Sequence, residues 1–251
     1  MRKIIVEACV DNIESAVSAQ AAGADRVELC SALLEGGLTP SYGLIKAAKK
    51  YLDIPIHTLI RPRRGDFLYS QKELEIMQDD IEFCQDLGID AVVFATLTEN
   101  AEVDIKALNS LQIASGQMKT TFHRAFDMLN SPIEAVEEII GLGFDSILTS
   151  GFKNSAENSF EELSEVVKAA RGRIEIIAAA GINEHNVVRI VKQSGVRAIH
   201  ASARAKSKSK MRRAKLQISL SAAYYPTEDE HYMLSPKNIK SIRSELENLY
   251  L

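Results

Sequence analysis

Short apolar, β-rich runs recur along the chain at 3–8, 25–30, 55–61, 91–96, 119–125, 146–150, 174–179 and 197–201. Between them the hydrophobic positions fall at three- and four-residue spacing, the mark of helices with one buried face. Three of these helices carry start signals. Ser70-Gln-Lys-Glu73, Ser131-Pro-Ile-Glu134 and Ser159-Phe-Glu-Glu162 have capping-box spacing, in which serine and glutamate satisfy each other's free backbone N–H groups. Pro132 takes the favoured first helical position. The stops are also marked. Gly23, Gly88 and Gly143 each end a helical pattern, each is followed two residues later by Asp25, Asp90 or Asp145, and a strand then begins. Gly195 repeats the corner with Arg197 in place of the acid.

Strands that alternate with helices pair in parallel. Eight such units in 251 residues predict a closed (β/α)8 TIM-type barrel rather than an open doubly wound sheet. No Gly-x-Gly-x-x-Gly or Walker-type loop occurs, so neither a nucleotide nor a flavin motif is visible. No linker interrupts the barrel, and the expectation is one domain over 1–251. After the eighth strand the pattern degrades. Residues 203–234 read as a loop-like segment with a basic run at 204–215, taken as solvated because no aromatics interleave with its charges. An acidic stretch follows at 227–230, then a terminal helix at 235–250 with Ile239, Ile242, Leu246 and Leu249 on one face.

Composition narrows the partners. Apolar residues make up 46%, charged residues 25%, and the net charge is −4, so nothing biases the chain toward nucleic acid or a membrane surface. No apolar run approaches the ~20 residues that span a bilayer. The N-terminal residues lead straight into a strand with no leader-like apolar region. Three cysteines, odd in number and sparse, fit a reducing cytoplasm better than a disulfide scaffold. A homo-oligomer is left open.

The chemistry gathers where strands end. Glu7, Glu28, Arg61, His123, Arg124 and His200 each follow or close an apolar run. A charge beside a buried strand is costly without a partner or a wet cavity. In a barrel these ends share one face, so the six are the catalytic candidates. Glu7 and Glu28 end adjacent strands and form a candidate acid–base pair. Arg61 opens a guanidinium-rich loop containing Arg63, Arg64, Gly65 and Asp66, suited to carboxylate or phosphate. Arg64 reads as a surface residue.

His123 and Arg124 are neighbours, and neighbouring strand residues point to opposite faces. Either the strand bulges, or one of the two faces the barrel and Asp127 bridges the other. Ser150 and Gly151 after the sixth strand, Gly181 after the seventh and Ser202 after the eighth lie where barrels often bind phosphate through backbone N–H groups. Asn186 reads equally as a ligand contact or a corner support. Cys9 and Cys30 on neighbouring strands suit a soft metal such as Cu(I), but spacing alone favours two small buried apolar residues. Cys84 reads as core.

Together these motifs resemble the CutC copper homeostasis family. The matching stretches are Glu7-Ala-Cys-Val-Asp11, Gly23-Ala-Asp-Arg-Val-Glu-Leu-Cys30-Ser31, Glu35-Gly-Gly-Leu-Thr-Pro-Ser41, Ile60-Arg-Pro-Arg63, Gly65-Asp-Phe-Leu-Tyr69, Thr121-Phe-His-Arg-Ala-Phe-Asp127, Ile147-Leu-Thr-Ser-Gly151 and His200-Ala-Ser202. They keep family order up to about residue 202; the tail matches loosely. The resemblance implies a TIM-type barrel, a cytoplasmic location and a role in copper handling, with Cys9 and Cys30 as the metal ligands. The residues themselves also support a different reading, an enzyme using acid–base chemistry on a small anionic molecule. In that reading Glu7 or Glu28 is the base, His123 the acid, and Arg61 and Arg124 the anion clamps.

Overall fold

The computed structural model describes residues 3–211 and 230–249. Eight parallel strands close into a barrel in chain order: β1 (Ile5–Val10), β2 (Arg26–Leu29), β3 (Ile56–Leu59), β4 (Ala91–Phe94), β5 (Lys119–Phe122), β6 (Ser146–Thr149), β7 (Glu175–Ala178) and β8 (Ala198–Ala201). The connecting helices are α1 (Ile13–Ala21), α2 (Tyr42–Tyr51), α3 (Gln71–Asp86), α4 (Ile105–Ser115), α5 (Pro132–Gly141), α6 (Phe160–Ala170) and α7 (Val187–Ser194). This is the expected (β/α)8 barrel. The eighth helical place is filled by α8 (Pro236–Asn248), which packs against α7 and α1 and buries Ile239, Ile242 and Leu246.

Strand alternation divides the core in two. Val6, Ala8, Val27, Leu29, Phe122, Ile147 and Ile199 face outward and join the helices in one large apolar cluster. The residues between them face the barrel interior. They form two small apolar groups, Cys9, Cys30, Leu59 and Val93 on one side, and Leu148, Ile177, Ala179 and Ala198 on the other.

The repeated Gly–Asp corner has a structural meaning that goes beyond helix ending. Gly23, Gly88 and Gly143 take left-handed conformations at φ +92°, +66° and +85°. Each following aspartate then reaches back to the strand before it. Asp25, Asp90 and Asp145 accept from the backbone N–H groups of Val6 (2.8 Å), Ile56 (3.0 Å) and Thr120 (2.9 Å). These bonds satisfy donors at the bottom rim of β1, β3 and β5 that would otherwise be left over.

Of the three expected capping boxes, one forms. Glu73 N–H donates to the Ser70 hydroxyl and Ser70 N–H to the Glu73 carboxylate. Ser131 and Ser159 begin helices without a side-chain cap. The buried Ser159 hydroxyl instead donates to the Ser150 carbonyl and ties down the loop after β6.

The expected loop after β8 contains a hairpin. β9 (Arg204–Lys208) pairs antiparallel with β10 (Glu230–Leu234). The first residues of the basic run are therefore strand, with Lys206 paired to Glu230 (3.0 Å) and Arg204 lying over the Tyr232 ring. Cross-strand charge pairing accounts for this correction, and it was hidden because the partner strand lies far along the chain. Leu234 N–H donates to the buried Ser15 hydroxyl, which docks the hairpin on α1. The rest of the basic run at 212–215, the acidic residues 227–229 and Tyr250 lie outside the described residues.

Candidate functional site at the barrel mouth

Residues two apart on a strand share a face, and this rule builds the site. Glu7 and Cys9 from β1, Arg26 and Glu28 from β2, His57 from β3, Glu175 from β7 and His200 from β8 all enter the interior. Strand register sets Glu7 opposite both Arg26 and His200, and Cys9 opposite Glu28. At the deep level, Arg26 Nε donates to Glu7 at 2.6 Å and Arg26 Nη2 to Glu175 at 2.7 Å. His200 Nδ1 lies 2.7 Å from the other Glu7 oxygen and 3.3 Å from Glu28. His57 Nδ1 is 3.3 Å from Glu7 but is not aligned for a hydrogen bond.

Glu7 thus sits in the middle of β1, not at its end, because the strand runs on through Cys9 to Val10. It lies beneath the cavity rather than on its wall, which removes it from the mouth pair expected above. Burial alone would raise its carboxyl. Arg26, the His200 hydrogen bond and His57 outweigh burial and hold it well below the ordinary carboxylate range. Glu28 has no such arginine. Burial pushes it up to about 7 against the pull of His200, and repulsion from Glu7 adds to the rise. Burial opposes a charge on His200, but Glu28 leads a set of neighbours that raise it well above its ordinary value. The two glutamates have opposite protonation tendencies because one owns the arginine.

Above this layer opens a cavity of about 560 Å³ at the C-terminal ends of the strands. Its wall includes Cys9, Glu28, Cys30, Arg61, His123, Arg124, Asp127, Gly181, His200 and Ser202. Cys9 and Cys30 are buried free thiols in one apolar group. Its hydrogen bond to Cys30 and then burial raise Cys9 well above the usual thiol value. One Cys9 sulfur, one Glu28 oxygen and one His200 ring nitrogen lie within 4.8 Å of one another.

The strand ends at Phe122, so alternation no longer governs His123 and Arg124, and both line the cavity. His123 enters the cavity, and its Nδ1 accepts the Ala125 N–H at 3.1 Å. Burial, with the nearby charge of Arg61, lowers it to about 3, so the ring is neutral. Arg124 begins a 3-10 turn at the rim and is held by Asp127 at 2.8 Å. Asp127 also accepts the Ser150 and Phe152 N–H groups, which makes it a clasp for the loop after β6.

Several expected ligand residues lie elsewhere. Arg63 pairs with Glu73 and Asp66 on the surface, and neither it nor Asp66 lines the cavity. Their loop turns outward because the Ser70 helix start supplies Glu73 as a partner. Ser150 is buried against Asp127. Gly151 packs on Ser159, where an added Cβ would fall 2.8 Å from that side chain. Arg64 pairs with Glu35 at the surface. Asn186 supports its corner, accepting from Asn183 N–H and donating to the Gly181 carbonyl. Cys84 is core. Arg26, His57 and Glu175 went unremarked in the sequence. The signal was present, since Arg26 and Glu28 stand two residues apart on one strand, and His57 and Arg61 four apart within the apolar run 55–61.

The fold and cavity define a (β/α)8 barrel whose polar mouth holds two thiols above a buried ion network. The CutC family profile matches residues 4–205. A family protein CutC from Bacteroides fragilis is 43% identical over 241 residues, covering 96% of each chain. The copper homeostasis protein cutC homolog of Homo sapiens is 40% identical over 240 residues, 96% of this chain and 87% of the human one. The crystal structure of a CutC protein from Streptococcus agalactiae superposes with a TM-score of 0.77 at 35% identity, covering 79% of this chain and 98% of that one. This chain belongs to the CutC family.

Proposed function

We propose that this chain takes up copper(I) as cargo, held between the Cys9 and Cys30 sulfurs at the cavity wall. The observation that carries the reading is the meeting of two buried free thiols from neighbouring strands, side by side on a cavity. Thiolates are soft ligands that favour Cu(I), and Leu33, Leu59 and Val93 pack around the two sulfurs, with the Glu28 carboxylate as an oxygen neighbour of Cys9. A thiol must lose its proton to bind, and Cys9 holds its proton tightly. Glu28, poised at about 7 beside it, is the natural acceptor. The human relative's name, a copper homeostasis protein homolog, supports the same reading. Three free cysteines suit a reducing compartment, so we place the chain in the cytoplasm. Among the described residues no helix is long and apolar enough to cross a membrane.

The test is an anaerobic competition titration of Cu(I) against a chelator. Wild type is compared with a Cys9→Ala, Cys30→Ala double variant whose fold is checked by circular dichroism. Binding is expected to collapse in the double variant. Equal affinity in both proteins sinks the thiol site.

A further inference from the structure

The floor of the cavity is short of positive charge. Glu7, Glu28 and Glu175 bring three carboxyls to the interior, and Arg26 pairs with Glu7 and Glu175 but not with Glu28. Glu28 is left with His200 at 3.3 Å. It is 4% exposed, so bulk water does little for its charge. Such a place favours a cation, and a proton is only the smallest candidate.

Three different metal-binding atoms meet there. A Cys9 sulfur, a Glu28 carboxylate oxygen and a His200 ring nitrogen lie within 4.8 Å of one another. Strand register brings them together: Cys9 stands opposite Glu28 across β1 and β2, and His200 enters from β8 opposite Glu7. An ion centred among three atoms so spaced is no more than about 2.8 Å from each. Small side-chain movements close that to metal bonds of roughly 2.0–2.3 Å. All three residues line the cavity, which gives an ion its way in. The imidazole is also braced. Glu7 lies 2.7 Å from His200 Nδ1 and is itself held by Arg26 at 2.6 Å, the carboxylate support that metal-bound histidines usually carry.

We propose that Cys9, Glu28 and His200 bind one zinc(II) ion, with its fourth coordination position turned to the cavity. One sulfur, one nitrogen and one oxygen form a mixed set that suits a borderline divalent ion, whereas two thiolates suit Cu(I). Three protein ligands and one open position are the pattern of zinc sites that take water or a substrate oxygen, not of closed structural sites. The cavity of about 560 Å³ leaves room for a small molecule at that position. The site shares Cys9 with the copper reading but not its other ligands, and it does not rest on that reading.

The test uses the full chain, stripped of metal and kept reduced with a phosphine. Zinc is titrated in competition with a chromophoric chelator, and cobalt(II) serves as a coloured stand-in. One zinc per chain is expected, and cobalt should give a thiolate charge-transfer band with the strong visible absorption of a four-coordinate site. X-ray absorption of the zinc complex should show one sulfur neighbour, with nitrogen and oxygen completing the set. His200→Ala and Glu28→Gln should each weaken zinc by at least about tenfold, since losing even the support of a ligand costs that much. Cys30→Ala separates the two readings, because it removes a copper ligand but no zinc ligand. If a variant does not fold, the sulfur count in the wild-type complex decides alone. The proposal is overturned by two sulfur neighbours, by a missing thiolate band, by zinc below one per chain, or by zinc binding lost with Cys30. Unchanged affinity in both His200→Ala and Glu28→Gln overturns it as well.

Discussion

Replacing Arg26 with methionine tests the buried network directly. Arg26→Met keeps the apolar stem and removes the guanidinium that Nε and Nη2 share between Glu7 and Glu175. Glu7 is 2% exposed, so its charge cannot turn to water. Removing one partner of a buried pair costs about 3–5 kcal/mol. His200 at 2.7 Å remains, and His57 at 3.3 Å gains reason to protonate. Glu175 is partly exposed and loses less. These remaining partners hold the expected loss to the lower end, about 3 kcal/mol. For a chain of this size that is a fall of roughly 6–12 °C in Tm.

Urea unfolding at neutral pH, followed by circular dichroism, measures the change, with the denaturant slope expected to stay constant. The acid limb supplies a sign check. Glu7's depressed carboxyl adds stability that is present above its ordinary value of 4.5 and is lost as pH falls through its folded value. Without Arg26 that folded value rises, so acid unfolding begins at higher pH. Adding Glu7→Gln to Arg26→Met removes the orphaned charge and should recover part of the loss. A loss below about 1 kcal/mol, the range of surface pairs, would refute the argument that this ion pair is a buried element of the barrel.

His123→Asn keeps an acceptor for the Ala125 N–H and removes the titrating ring. Because the folded value of about 3 lies below the ordinary 6.5, the unfolded chain protonates first. Wild-type stability is therefore full above 6.5 and drains toward 3, by up to roughly 1.4 kcal/mol per pH unit. Stability measured across that window should be visibly flatter in the variant, and an identical slope would contradict a buried neutral ring. Gly37→Ala places a Cβ 2.8 Å from Leu59 and 3.5 Å from Cys30 at φ +88°, so urea melts should show a loss of about 1–3 kcal/mol. Gly23→Ala has a similar φ of +92° but nothing within 4 Å, so it should cost less; equal losses would mean that the close approach at Gly37 carries no weight.

Much of the fold was legible because its signals are local. A helix start at Ser70, a left-handed stop at Gly23 and an aspartate two residues later are each decided within one turn of chain. Repetition of such units makes a parallel barrel the economical solution, and the C-terminal strand ends then become its mouth. The same locality explains the misreadings. Ser131 and Ser159 carry the capping pattern, but the Ser159 hydroxyl is drawn to the Ser150 carbonyl by a contact the pattern does not encode. Arg63 carries the pattern of a cavity residue, but Glu73, ten residues on, holds it at the surface.

From its sequence alone this chain commits to strands, helices, their order and the gathering of Arg61, His123 and His200 at one end. Tertiary structure decided the rest through register. A one-residue slip between parallel strands exchanges the inward and outward sets, and no local pattern measures it. Register set Glu7 against Arg26 and His200, and Cys9 against Glu28. It thereby made one glutamate a buried ion-pair partner and pushed the carboxyl of the other up to about 7. It also left Arg61 as a buried charge without a carboxylate among the described residues, a property that depends on every neighbour the fold brings within reach.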